Sequence, residues 1–169
     1  MTQVESEVVV ESVTIRAEVL KAFDEYVRAW QDADLPALSQ IYANDDQITA
    51  IWPDPTIKYP LIGWTAVRAG LKDALRRCRG MRVLYHNHVV HCANDMAVLT
   101  AEWKWLDLDQ PNKPGAIPTG RMARTELAIG HGTFVFERRD RKWVVVHEHS
   151  AGSPGLHRLS GHSNANASI

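Results

Sequence analysis

The residues best suited to chemistry in this chain are histidines in pairs. His147 and His149 stand two apart in the segment KWVVVHEHS. If that segment is a strand, both imidazoles leave the same face, together with Trp143 and Val145. The expected face is the inner one, toward the helices, with Glu148 and Ser150 pointing the other way unless a bulge intervenes. Two imidazoles on a pocket wall can move protons near neutral pH. Two half-buried histidines bonded to backbone would be plain structure. A second pair, His86 and His88, facing the first would offer four imidazoles to zinc or another transition metal. Such pairs arise easily by chance, so the reading carries no metal and no cofactor.

His131 lies between Gly130 and Gly132. That pattern suggests a bulge or a close backbone approach, with the ring at a cavity mouth. Carboxylates in acid–base roles would need burial to raise their pKa. Asp34 reads instead as a helix N-cap, and Glu102 as a solvated residue on the polar face of a strand. There is no phosphate loop, nucleophile elbow or zinc-protease helix.

Apolar periodicity supplies the elements that must position these groups. Ile15, Val19, Phe23, Tyr26 and Trp30 recur at helical steps, predicting a helix from about Thr14 to Asp32. A short second helix follows Asp34, with Leu38, Ile41 and Tyr42 inward. A third runs from Gly63 to about Arg79, with Val67, Leu71 and Leu75 on one stripe and Gly80 as its stop. Prolines at 53, 55 and 60 limit the intervening segment to short extended pieces. From Met81 the period becomes two, giving strands at Val83–Cys92, Met96–Asp107, Thr133–Arg139 and Lys142–Ser150. Residues 108–120 read as a loop. Helices that precede an antiparallel sheet must lie on one face of it. The expected domain covers residues 12–155, with flexible tails at 1–11 and 156–169.

Composition narrows the partners. The 169 residues carry a net charge of −1, with 45% apolar residues, which suits a soluble globular domain. Arg76, Arg77 and Arg79 close the third helix, where they complement its dipole. No basic stripe with interleaved aromatics is present, so nucleic acid is not an expected partner. No apolar run is long enough for a membrane span or a signal core. Cys78 and Cys92 read as reduced core residues, and the expected compartment is the cytoplasm. Six tryptophans suggest a roomy interior to be filled or lined.

Several segments resemble a known family: ITAIWPD at 48–54, LIG at 61–63, HCAND at 91–95 and ERRDRKWVVVHEHSAGSP at 137–154. They are similar to the SnoaL-like proteins and to the association (hub) domain of calcium/calmodulin-dependent protein kinases, both of the nuclear-transport-factor-2-like superfamily. The resemblance implies an α+β, cone-shaped fold, three N-terminal helices on a curved antiparallel sheet. It implies a pocket for a small-molecule ligand, with Tyr26, Trp30, His86, His88, Trp103, Trp105, His131, Phe134 and Ser150 around His147 and His149. At the places of the hub's pocket arginines this chain has Trp103, Phe134 and Ser150. The resemblance also implies a homodimer that covers the outer sheet face. Three activities stay open: an isomerase, dehydratase or cyclase working by proton transfer; a non-catalytic oligomerisation module; and a metal-free carbonic anhydrase of the iota class. The last class has three histidines followed by two serines, where this chain runs His147, Glu148, His149, Ser150, Ala151.

Overall fold

A computed structural model describes residues 3–53, 57, 60–108 and 124–152. Helix α1 (Gln3–Gln31) buries the stripe Ile15, Val19, Phe23 and Tyr26, and leaves Trp30 half-buried. It begins well before Thr14, so much of the segment expected as a frayed tail is helical. Helix α2 (Leu35–Ile41) is capped by Asp34, whose Oδ1 accepts from the Ala37 amide at 2.9 Å. Helix α3 (Trp64–Arg77) buries Val67, Leu71 and Leu75. It ends before Gly80, whose φ of +87° is cheap only for a residue without a Cβ.

The prolines between α2 and α3 leave two short strands, β1 (Thr49–Ile51) and β2 (Leu61–Ile62). Four long strands follow: β3 (Met81–Ala93), β4 (Met96–Leu108), β5 (Arg124–Arg139) and β6 (Lys142–Gly152). They form one six-stranded sheet in the order β2-β1-β6-β5-β4-β3. The long strands are the expected meander, while β1 pairs parallel to β6, so the sheet is mixed rather than wholly antiparallel. The β5–β6 turn is the expected Asp140–Arg141, both residues at positive φ as a two-residue hairpin of this twist requires. β5 starts nine residues before the expected Thr133, because Gly130 and Gly132 lie within the ladder rather than before it.

The helices cover one face of this sheet, and the core lies between them. Phe23 meets Phe134 edge-on at 5.0 Å, and Tyr26 meets it at 5.1 Å. Such aromatic pairs add to the hydrophobic gain of burial. Arg139 clamps the α2–β1 connection to the β5–β6 hairpin by bonding Asp45 on one side and Glu137 on the other. The guanidinium holds the Asp45 carboxyl below its usual range.

Three register shifts interrupt the ladders, and those in β3 and β6 decide where the histidines point. In β3, two residues oppose one on β4 between His86 and Val89, with Asn87 at φ +55°. In β6, the pairing passes from Phe136↔Val145 to Val135↔His147, so Val146 is the extra residue. Trp143 and Val145 face the core before this bulge, and Glu148 and Ser150 face it afterwards.

Candidate active site

The β6 bulge decides which groups reach the interior. His147 and His149, expected inward, lie on the outer face, because the extra residue advances the alternation by one step. His149 is exposed. His147 is partly exposed, and its Nδ1 lies 2.6 Å from the Thr49 hydroxyl on β1. Desolvation and the neighbouring His149 lower the His147 pKa. In their place the fold buries Glu148, which is 2% exposed.

Glu148 is held by donors from three elements. The Tyr26 hydroxyl on α1 donates to its Oε1 at 3.1 Å. The Tyr42 hydroxyl, at the C-cap of α2, donates to Oε2. The Ser150 hydroxyl reaches Oε1 at 3.5 Å, a long contact. Trp52, just beyond β1, also steadies the charged form, although its buried indole N–H lacks a partner at normal hydrogen-bond geometry. The two tyrosine rings pack at 6.0 Å, and Tyr85 on β3 lies 6.2 Å from Tyr26.

The electrostatics follow from burial. Loss of water pushes the Glu148 carboxyl from 4.5 up to about 7, and the hydrogen bonds from Tyr42, Tyr26, Trp52 and Ser150 only partly oppose it. Burial, and then the negative charge of Glu148, drive the hydroxyls of Tyr26, Tyr42 and Tyr85 further above their usual range. The tyrosines therefore remain donors, and the carboxyl is the one group here that changes state near neutral pH. A carboxyl so poised can take or give a proton with little mismatch to its surroundings.

Of the expected pocket residues, the fold gathers Tyr26, Trp30, Phe134 and Ser150 near Glu148. Trp30 packs 6.3 Å from Tyr26. Trp103 and Trp105 lie further along β4 in a second cluster with Trp30, Tyr85, Val83 and Ala128. His86 instead sits on the outer face, its Nε2 3.1 Å from Glu102 Oε2. His88 falls in the β3 bulge and is exposed, though its ring edge meets Phe23 at 5.3 Å. His131 is exposed on the outer face beside Glu102. The two His-x-His pairs do not converge, because β4 and β5 separate β3 from β6. Among the described residues, no group of three or more histidine, cysteine, aspartate or glutamate side chains is placed to hold a metal ion.

The sequence reading missed Glu148, Tyr42, Trp52 and Tyr85 as site groups. One signal was present. Val144, Val145 and Val146 are three successive apolar residues in a strand of period two, which marks a place where the alternation can slip.

Comparison with known proteins agrees with this architecture. The sequence profile of the SnoaL-like domain matches residues 19–154, most of the chain. This chain belongs to the SnoaL-like family. Among solved structures it is similar to an NTF2-like protein of unknown function from Pseudomonas putida KT2440, with 22% identity, 83% of this chain and 87% of that one covered, and a TM-score of 0.65. A candidate dehydratase of the NTF2-like family from Streptomyces avermitilis matches at 16% identity over 85% and 99% of the two chains, with a TM-score of 0.70. A candidate calcium/calmodulin-dependent protein kinase II association domain from Xanthomonas campestris matches at 19% identity over 81% and 86%, with a TM-score of 0.61. No curated protein matches the chain in sequence. At these identities the likeness establishes the α+β, NTF2-like fold of this SnoaL-like chain. No helix among its described residues is long and apolar enough to cross a membrane.

Proposed function

We propose that this SnoaL-like protein binds a small molecule between α1 and the sheet and transfers a proton on it, with Glu148 as the base. The observation that carries the reading is the carboxyl of Glu148: buried, held by two tyrosine hydroxyls, and pushed by its burial up to about 7. The carboxylate takes a proton from an activated C–H of the substrate and becomes the neutral acid. It then returns that proton to another atom of the same molecule, so nothing is consumed. This is the elementary cycle of an isomerase, and of a dehydratase when the proton is delivered to a leaving hydroxyl. Tyr26 and Tyr42 keep the carboxyl oriented and limit its rise in pKa. The aromatic rings of Phe134, Tyr85 and Trp30 favour an apolar or ring-containing substrate.

The test is exchange of α-protons in D₂O, followed by proton NMR on a panel of cyclic ketones. Exchange above the buffer rate should rise with pH through about 7, vanish in Glu148→Gln and survive in the double variant His147→Ala/His149→Ala. Exchange unaffected by Glu148→Gln would overturn the assignment.

A second reading has its own observation. Ile51, Val89, Val98 and Ile129 are exposed and lie on the outer sheet face. Pairing of two copies through this face would cover them. Light scattering should give twice the chain mass at micromolar concentration, and Val98→Lys should return it to the single-chain mass. A single-chain mass for the unaltered protein would refute self-association.

A further inference from the structure

The interior carries more hydrogen-bond donors than the tyrosine–carboxylate cluster uses. The indole N–H groups of Trp30 and Trp103 are buried and have no partner among the described residues. Trp103 is only 2% exposed. Both indoles belong to one cluster, packed with Tyr85 and Trp105. A buried donor without an acceptor is costly, and native folds keep few of them. Two in one aromatic cluster point to an acceptor beyond the described residues, a role that a bound ligand can fill.

The sheet shows how these indoles are spaced from the carboxylate. Across β4, β5 and β6, Leu99, Phe134 and Glu148 form one inward row. The next inward row is Ala101, Gly132 and Ser150, and the row after it holds Trp103 beside Gly130. Successive inward rows on a strand are about 7 Å apart. The row between the carboxylate and the indole carries only small side chains, and the Phe134 ring leans over it: a Cβ added at Gly132 would meet Phe134 Cε2 at 2.9 Å. Gly130 lets Trp103 lie close over the strand: an added Cβ there would meet Cε2, the ring atom bonded to Nε1, at 2.6 Å.

We propose that the indole N–H groups of Trp30 and Trp103 form an acceptor site for the carbonyl oxygen of an uncharged ring compound. An indole N–H is a neutral donor, and the charge nearby is that of a carboxylate. The site therefore suits a ketone, lactone or quinone oxygen better than a carboxylate or phosphate. The inference rests on the reading that the interior takes a small molecule. It does not require that Glu148 act as a base.

The experiment uses full-length protein with ¹⁵N-labelled tryptophan, whose six indole resonances are assigned by single Trp→Phe variants. The protein is titrated with 1-tetralone and with tetralin, the same fused rings without the oxygen. Tetralone should move the Trp30 and Trp103 indole protons downfield. It should leave Trp143 in place, because that N–H already donates to Glu18 at 2.9 Å. Tetralone should bind at least about tenfold more tightly than tetralin, the worth of one to two net hydrogen bonds. Trp30→Phe and Trp103→Phe should each narrow that gap, and Glu148→Gln should leave it open. If Trp103→Phe does not fold, Trp30→Phe and the shifts in the unaltered protein carry the test. Equal binding of the two compounds, no binding of either, or shifts confined to other indoles would overturn the site. Loss of α-proton exchange in Glu148→Gln with the gap intact leaves both proposals standing. A vanished gap with exchange intact refutes only the acceptor site, and an open gap with exchange independent of Glu148 refutes only the base.

Discussion

Glu148 and His149 are neighbours in sequence, yet one lies inside the fold and the other lies in water. Both follow the same extra residue, Val146, and both are titratable. Glu148 reaches the interior, where burial moves its carboxyl up to about 7, while His149 is exposed on the opposite face. His147, one residue earlier, shares the outer face, where its Nδ1 meets the Thr49 hydroxyl on β1. A single unpaired residue in the ladder thus decides which of three consecutive titratable side chains can do chemistry in the interior. In a strand of period two, residue type alone does not locate a site, because parity must be known as well.

The contrast breaks most visibly at Glu148 itself. Glu148→Ala leaves the Tyr26 and Tyr42 hydroxyls without their acceptor and opens a void. At pH 4.5, urea denaturation should show a loss of about 3–5 kcal/mol. Glu148→Gln keeps the shape and an acceptor, and should cost much less. A loss below about 1 kcal/mol for the alanine variant would mean that the inner position is not energetically distinct from the outer one.

The next effect is the pH dependence of stability. The folded carboxyl titrates near 7 and the unfolded one near 4.5. Below 4.5 both states are protonated, and the fold has its full stability from this group. Between 4.5 and 7 the unfolded chain has released its proton and the folded chain has not, so stability falls as pH rises. Above 7 both are ionised and the slope ends. The total loss is roughly 3 kcal/mol. Denaturation midpoints taken from pH 4.5 to 8 should show this fall in the unaltered protein and lack it in Glu148→Gln. The cost of Glu148→Ala should shrink over the same window, since ionised Glu148 is itself a burden. Parallel curves for the unaltered and Glu148→Gln proteins would contradict the buried, raised carboxyl.

A finer effect separates the two tyrosines from mere packing. The Tyr42 hydrogen bond stabilises the charged form of Glu148. Tyr42→Phe should therefore move the Glu148 midpoint upward by roughly one pH unit, the worth of a hydrogen bond to a charged group. Carbon-13 NMR of the labelled glutamate carboxyl reads that midpoint directly. A downward or absent shift would show that Tyr42 fills space without bonding the carboxylate.

The helical stripe of α1 was legible because Ile15, Val19, Phe23 and Tyr26 keep one period over many residues, and all four are buried. The hairpin at Asp140–Arg141 was legible because turn chemistry is local. Tyr26, Trp30, Phe134 and Ser150 could be expected at the interior, through the period of a helix or the resemblance to a family. The inward carboxylate could not be read with equal ease. Its position depends on a register shift between Val135 and Phe136, which is a property of the β5–β6 pairing rather than of either strand alone. Tyr42 ends a helix of only seven residues, and only the tertiary fold brings its hydroxyl to a residue 106 positions away. The β3 bulge similarly removed His88 from the row of His86, so the spacing of that pair was also misleading.

The smallest expected effects lie on the outer face, and they sharpen the contrast because little should happen. His149 is exposed, so His149→Ala should change stability by no more than about 0.5 kcal/mol. His147→Ala removes one contact to Thr49 and should cost about 0.5–1.5 kcal/mol, the net worth of a single hydrogen bond. The folded His147 pKa is lowered, so unfolded chains hold its proton to higher pH than folded ones. Stability from this group is therefore lost as pH falls through the unfolded value of about 6.5. His147→Ala should remove that component at the acid side and leave the rising limb of α-proton exchange unmoved. If instead the exchange limb disappeared with His147 while Glu148→Gln kept it, the proton would be travelling on the outer face, and the parity argument for Glu148 would fail.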